Sequence, residues 1–377
     1  MRKENETDLA PCCESTVCCG GTSADGKPAS PESCLQESSS WIDRRLDTPA
    51  GSIPVVKTKL SRRDRLGIIK VRLGIGRMNY RIRPGLYGIG KPNSDSPVFV
   101  SANYKLSFDT LRKELDGLDA WILVLDTKGI NVWCAAGKGT FGTEEIVRRI
   151  DEVGLAKVIS HRTLILPQLG APGVAAHEVT RLSKFKVVYG PVRASDIKEF
   201  LKPGSEATPE MRRVRFNFRD RIILAPMELM QPFKYLVMIA AALWILDVFG
   251  VHIFSWKGLY PYLGAIVVGG FLVPVLLPWI PGRAFALKGW LLGMVWALFV
   301  NVHQGWILSS SSDWQQVAVH FLLLPAISAF LAMSFTGSSA YTSLSGVLKE
   351  MRFAMPAILV SAGLGLGLLV FVLIKAF

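Results

Sequence analysis

The sequence predicts an α/β domain with a mainly parallel, Rossmann-like sheet, followed by an all-α transmembrane domain of five helices. Three observations predict it. Short apolar runs alternate with helical segments between residues 55 and 225, the pattern of strands joined by crossover helices. Charge is unevenly divided: only six of the 43 Lys/Arg and three of the 30 Asp/Glu lie in the last 143 residues. That last part holds five stretches long and apolar enough to cross a bilayer core of about 30 Å.

Residues 1–54 read as a flexible tail, rich in Ser, Pro, Gly and Glu with little apolar periodicity. From Val55 the pattern becomes structured. Val98–Ser101 reads as a strand and Phe108–Leu118 as a helix. Ile122–Leu125 is a continuous apolar run of buried-strand type. Asp126-Thr127-Lys128-Gly129 is the turn after it; Asn131 is a good N-cap, and Gly137 and Gly139 are natural stops, for a very short helix between them. Thr143–Ile150 reads as a helix capped by Thr143, with Glu144 and Glu145 in its first turn. Val158–Leu166 reads as a strand and Val174–Ser183 as a helix after the loop Gln168–Gly173; Lys186–Tyr189 is a further strand and Ser195–Leu201 a further helix. In such sheets ligands bind at the carboxyl ends of the strands. Cys134, the 168–173 loop and Gly190-Pro191 all follow strand ends.

The transmembrane domain is expected over 226–377, with spans at about 235–254, 259–280, 285–308, 314–334 and 353–374. The third is the weakest, interrupted by Lys288, Asn301 and His303. Arg212, Arg213, Arg215, Arg219, Arg221 and Lys234 precede the first span, Arg283 and Lys288 follow the second, and Lys349 and Arg352 follow the fourth; the other side offers only Lys257 and Lys375. The positive-inside rule then predicts a multi-pass protein of a prokaryotic cytoplasmic membrane, with its soluble domain in the cytoplasm and its C-terminus outside. No apolar signal segment in the first 50 residues opposes this expectation. Asp247, Asn301, His303 and His320 are polar positions of the membrane part with no assigned function.

A net charge of +13 raises the question of nucleic acid. No nucleic-acid motif accompanies it, and no such partner is expected. Part of the excess is positive-inside charge. Another part is the run from Lys57 to Arg83, ten basic residues against Asp64 alone. That run suits anionic lipid headgroups or an acidic redox partner, and a solvated basic face is the plainest account of it.

Cys134 falls in the first turn of the short helix, where the dipole and backbone N–H groups favour a thiolate. Ala135, Ala136 and Gly137 leave that surface almost flat. One soft anionic ligand on a flat surface suits a large planar metal macrocycle better than a small substrate. Competing motifs fail on their residues. A Walker A loop would need Gly at 132 and Ser or Thr after Lys138; the chain has Val132 and Gly139. Gly74-Ile75-Gly76 is a fragment of a dinucleotide fingerprint without its last glycine, position 79 being Asn. A cysteine hydrolase would need a histidine partner, and His161 and His177 carry no such signature. Cys12-Cys13 and Cys18-Cys19 are thiol pairs able to take a soft ion such as Hg(II) or Zn(II). With Cys34, they lack the Cys-x-x-Cys spacing of a ribbon or cluster site.

The segment Asn131-Val-Trp-Cys-Ala-Ala-Gly-Lys138 resembles the signature cap helix of the mercury-methylating corrinoid proteins, the HgcA family. Ser101–Leu115 and Leu125–Gly129 are similar to the corrinoid domain of the corrinoid iron–sulfur proteins of acetyl-CoA metabolism. The likeness covers roughly residues 55–225, and the membrane tail also fits the mercury family. It implies a cobalamin-type corrinoid held base-off, with Cys134 as the lower axial cobalt ligand. Asn131, Val132, Trp133, Ala135, Ala136, Gly137 and Lys138 would then line the cofactor, with Asn103 and Thr127 from the similar segments and Gly170, Gly173, Tyr189 and Gly190 from the strand-end loops. Neither histidine fits the Asp-x-His-x-x-Gly signature by which many corrinoid proteins ligate cobalt.

The implied activity is that of a membrane-anchored methyltransferase. Co(I) takes a methyl group from a methyl-pterin donor system, and methyl-Co(III) gives it to Hg(II) as a carbanion equivalent. A ferredoxin-like iron–sulfur donor then returns cobalt to Co(I), a donor needed in trans because the tail lacks a cluster motif. Two other readings stay open on the sequence: a general corrinoid methyl carrier of one-carbon metabolism, and a membrane soft-metal transporter or sensor using the cysteine-rich tail.

Overall fold

A computed structural model describes residues 40–202, 207–249, 255–307, 314–338 and 344–376. The chain divides into two compact units, one of Met1–Arg65 with Met78–Arg212, the other of Leu66–Arg77 with Arg213–Phe377.

The first unit is built on seven strands: β1 (Ile42–Thr48), β2 (Gly51–Val56), β3 (Gly85–Ile89), β4 (Val98–Ala102), β5 (Ala120–Leu125), β6 (Thr163–Leu166) and β7 (Lys186–Tyr189). Their spatial order is β1-β2-β3-β5-β4-β6-β7. The block β5-β4-β6-β7 is parallel throughout, whereas β1 pairs antiparallel with β2, and β3 antiparallel with β5. Every residue of β4 and β5 is buried, as expected of parallel strands covered on both faces. Helix α1 (Arg62–Arg72) begins in this unit and continues into the stretch Leu66–Arg77 of the second; the other helices here are α2 (Lys105–Glu114), α3 (Val132–Gly137), α4 (Thr143–Glu152) and α5 (Ala176–Ser183). Phe108 and Leu115 meet Tyr87, Phe99, Ile122 and Val124 in the core. The polar side of α2 is buried too: Lys105 bridges Asp64 at 2.7 Å and Asp109 at 2.6 Å, and Arg112 Nε lies 2.8 Å from Asp109.

Several elements differ from the sequence reading. The hairpin β1–β2 begins at Ile42, inside the stretch read as tail. Its outer strand, IDRRLDT, is an edge strand whose charges mask the β pattern. β3, with two glycines in five residues, carries no strand signal and is held by neighbours on both sides. The strand expected from Val158 starts only at Thr163; Leu155–Val158 is a helical turn, and His161 Nε2 lies 3.0 Å from the Ser96 carbonyl. The helix expected over 108–118 runs from Lys105 to Glu114. Gly142, not Thr143, occupies the cap of α4; the Thr143 hydroxyl accepts from Ala175 N–H at 2.9 Å. The helix expected from Val174 starts at Ala176, after a 3-10 turn over Gln168–Gly173. The segment 195–201 divides into a 3-10 turn, Ala194–Asp196, and a helical turn, Ile197–Phe200.

The second unit is helical: α6 (Phe218–Val248), α7 (Trp256–Val267), continued by a π turn through Val268–Leu272 to Leu276, α8 (Phe285–His303), α9 (Trp314–Ser334) and α10 (Leu344–Ala376). Among the described residues five helices are long and apolar enough to cross a membrane. α6 starts 17 residues before the span expected at 235, so position 226 lies inside a helix rather than at a boundary. α10 likewise starts at Leu344, ahead of the span expected at 353. In both, charged residues lie in the helix ahead of its most apolar turns: Arg219, Asp220 and Arg221 in α6, and Lys349, Glu350 and Arg352 in α10.

α8 and α9 approach through small residues. A Cβ at Gly289 would lie 2.4 Å from the Ser328 carbonyl oxygen, and one at Gly293 would lie 2.6 Å from Pro325 Cα. The polar residues that weakened the third span have local partners. Lys288 donates to the Leu277 and Ile280 carbonyls. Asn301 donates to the Ala297 carbonyl and meets His320 Nδ1 at 3.1 Å.

Candidate functional site

The site is the carboxyl edge of β4 and β5 and the short helix α3 that follows. Asn131 has an extended backbone, and its side chain accepts from the Cys134 N–H at 2.9 Å. The N-cap is therefore as expected, and it takes the Cys134 N–H for itself. Cys134 is exposed, and Trp133 beside it is 43% exposed. Ala135 and Ala136 are buried on the inner side. A Cβ added at Gly137 or Gly139 would meet nothing within 4 Å. The outer face of α3 thus presents one sulfur and an indole above a low, open surface.

The turn that aims α3 is held by Asn103, at the end of β4. Its Oδ1 accepts from Thr127 N–H at 3.1 Å and Gly129 N–H at 2.9 Å, and its Nδ2 donates to Asp126 at 3.1 Å. The buried Thr127 hydroxyl donates to the Ile130 carbonyl at 2.7 Å. Lys128 and Gly129 both have left-handed backbones, with φ of 57° and 74°. Lys128 costs strain there, and its ammonium lies 2.6 Å from Asp126. Burial alone would raise the Asp126 carboxyl, but the Lys128 hydrogen bonds outweigh it and hold it below its ordinary value.

Glu145 of α4 closes the turn from the other side, accepting from Asp126 N–H at 2.8 Å while Arg149 holds it at 2.8 Å. Burial raises this carboxyl, and the bonds from Asp126, Arg149 and Arg148 bring it down overall. In the sequence Glu145 is marked only as an acid of a helix first turn. Its partner lies 19 residues back in the chain, across the α3 segment, and no local pattern announces that contact.

Gly170 and Gly173 sit beneath α3. A Cβ at Gly173 would lie 2.3 Å from the Phe141 carbonyl oxygen and 2.9 Å from Ala136 Cα; one at Gly170 would lie 2.5 Å from the Phe141 ring. The 168–173 turn therefore packs directly on the cap segment. Phe141, fully buried, is a further supporting residue absent from the sequence reading. Tyr189, at the end of β7, donates to the Val174 carbonyl at 2.8 Å, and Gly190 N–H donates to Leu166 at 2.8 Å. The structure thus gathers Asn103, Thr127, the 131–138 segment, Gly170 and Gly173 around one turn, while Tyr189 and Gly190 join from the far side of the parallel block. Cys12, Cys13, Cys18 and Cys19 lie outside the described residues. Among the described residues no group of three His, Cys, Asp or Glu side chains could hold a metal ion.

Gly173→Ala is expected to loosen α3, because the added methyl meets backbone atoms that cannot rotate away. Hydrogen exchange of the 131–141 amides should rise while that of β5 stays unchanged.

This edge lies in the part of the chain that resembles known proteins. Residues 74–201 match the family model of the CO dehydrogenase/acetyl-CoA synthase delta subunit. The chain is 34% identical over 123 residues to the acetyl-CoA decarbonylase/synthase complex subunit gamma of Methanocaldococcus jannaschii, covering 32% of this chain and 25% of that protein. It is 30% identical over 124 residues to the corrinoid/iron-sulfur protein large subunit of Moorella thermoacetica, covering 32% of this chain and 27% of that protein. The chain thus spans about a quarter of the length of these curated relatives.

Proposed function

We propose that this protein is a membrane-anchored, corrinoid-dependent methyltransferase that delivers its methyl group to Hg(II). The observation that carries the reading is Cys134, exposed on a six-residue helix at the carboxyl edge of the parallel strands, within the stretch 74–201 that matches the CO dehydrogenase/acetyl-CoA synthase delta subunit family model. The open surface over Gly137 and Gly139 fits a flat macrocycle. When bound, the corrinoid supplies the cobalt that carries the methyl group.

The chain's own residues have defined tasks in this reading. Cys134 would supply the sulfur donor to the cobalt. Asn131 and Asn103 fix the helix and the turn that present it, and Gly170 and Gly173 seat the cap. Trp133 and Lys138 border the plane. The soft sulfur donor would tune the cobalt toward release of the methyl group with its electron pair, and the soft ion Hg(II) would be a fitting acceptor. The Cys12, Cys13, Cys18 and Cys19 pairs would hand over Hg(II) at low concentration. A methyl-pterin donor system and a ferredoxin-like iron–sulfur donor complete the cycle in trans. The Lys/Arg bias of the loops supports a soluble domain in the cytoplasm and a C-terminus outside.

Similarity to an acetyl-CoA decarbonylase/synthase complex subunit and to a corrinoid/iron-sulfur protein favours a second reading, a methyl carrier of one-carbon metabolism. A single-turnover assay separates them. The methyl-loaded full-length protein should form methylmercury from thiol-bound Hg(II) stoichiometrically. Transfer only to a one-carbon acceptor would overturn the mercury reading and leave the carrier reading standing.

A further inference from the structure

Helix α1 has two unlike sides. Asp64 and Val71 are buried, and Asp64 is paired with Lys105. The opposite side is exposed and apolar at its middle: Leu66 is 59% and Ile69 54% exposed, with exposed Arg62 one turn before them and half-buried Leu73 just past the helix end on the same line. At 100° per residue, Arg63 and Lys70 flank that stripe on one side and Arg65 and Arg72 on the other. The one acid of the helix points away, so the outward charge is wholly positive. The stretch Leu66–Arg77 also belongs to the compact unit of the five long apolar helices, where the Arg77 guanidinium meets the sulfur of Met227 on α6.

We propose that α1 is an interfacial helix lying on an anionic lipid surface. Leu66, Ile69 and Leu73 enter the acyl boundary, and the flanking Arg63, Arg65, Lys70 and Arg72 reach the headgroup phosphates. An apolar strip with cations on both edges is the cross-section such a surface requires. An acidic protein partner would satisfy the cations, but not an exposed stripe carried by the same compact unit as the apolar helices. The inference rests on those five helices spanning a bilayer and is independent of the corrinoid.

The test uses the full-length chain in lipid nanodiscs, with the photo-crosslinking residue benzoylphenylalanine at one position at a time. Ile69→benzoylphenylalanine should give lipid adducts, several-fold more in discs with about 30% phosphatidylglycerol than in phosphatidylcholine alone. Replacing Arg63, Arg65, Lys70 and Arg72 by glutamine should remove that difference. Val295, exposed on α8, should give adducts in both lipids, and Lys113, exposed on α2, in neither. No lipid adduct at 69 while 295 reacts would overturn the proposal. So would adducts at 69 that form only with an added iron–sulfur protein, which would make the stripe a protein-docking face. No adduct at 295 would instead strike at the membrane-spanning reading.

Discussion

Replacing Cys134 by alanine is expected to reduce methylmercury formation to the level of protein without corrinoid. The side chain is exposed and makes no disulfide, so its loss should leave the fold intact. On the proposed function, what it removes is the sulfur donor to cobalt. Cys134→His tests the chemistry of that donor: imidazole is a neutral ligand, so the variant should still bind cobalt yet fail to support transfer to Hg(II). Replacing Cys12, Cys13, Cys18 and Cys19 together should leave cofactor binding intact and lower turnover only at low Hg(II). The readout is methylmercury formed per corrinoid at low and high Hg(II) for each variant. Full activity in Cys134→Ala would remove the axial-ligand role, and loss of corrinoid in the tail variant would place the tail in the cofactor site.

The second large effect concerns stability. Arg112, fully buried, ties Asp109 at 2.8 Å and Asp64 at 3.1 Å. Arg112→Ala leaves two buried carboxylates with Lys105 as the remaining cation beside them, and should cost about 3–5 kcal/mol. Hydrogen exchange of the β5 amides measures it without requiring the whole chain to unfold in one step. The same cluster predicts a pH dependence. Burial alone would raise the Asp64 carboxyl, but the bonds from Lys105 and Ser61 outweigh it and hold it well below the usual carboxylate range. A carboxyl depressed in the folded state adds stability that is complete above its unfolded pKa of about 4 and lost as pH falls through the folded value. Protection of β5 should therefore fall below about pH 4. Asp64→Asn should flatten that dependence.

The parts of the fold legible in the sequence are those whose signal is local. β5 reads as a strand because AWILVL is apolar on both faces, and Asn131 reads as a cap because the residues it serves are its immediate neighbours. The five apolar helices show in the distribution of charge alone. What was hidden is set by pairing across the chain. β3 is a strand because β2 and β5 flank it, despite its two glycines. The hairpin Ile42–Val56 carries the charges of an edge and so resembles a tail. In the site, Cys134 and its cap could be read from one octapeptide. Glu145 and Phe141 could not, because their roles depend on contacts with Asp126 and Gly170 made only in the folded domain.

Cobalt content decides whether Cys134 holds a corrinoid. Full-length protein produced with cobalamin available should carry about one cobalt per chain. Its absorption and paramagnetic resonance spectra should show the nucleotide base displaced from the metal, and Cys134→Ala should change those spectra. Protein that holds stoichiometric zinc or haem and no cobalt would contradict the account.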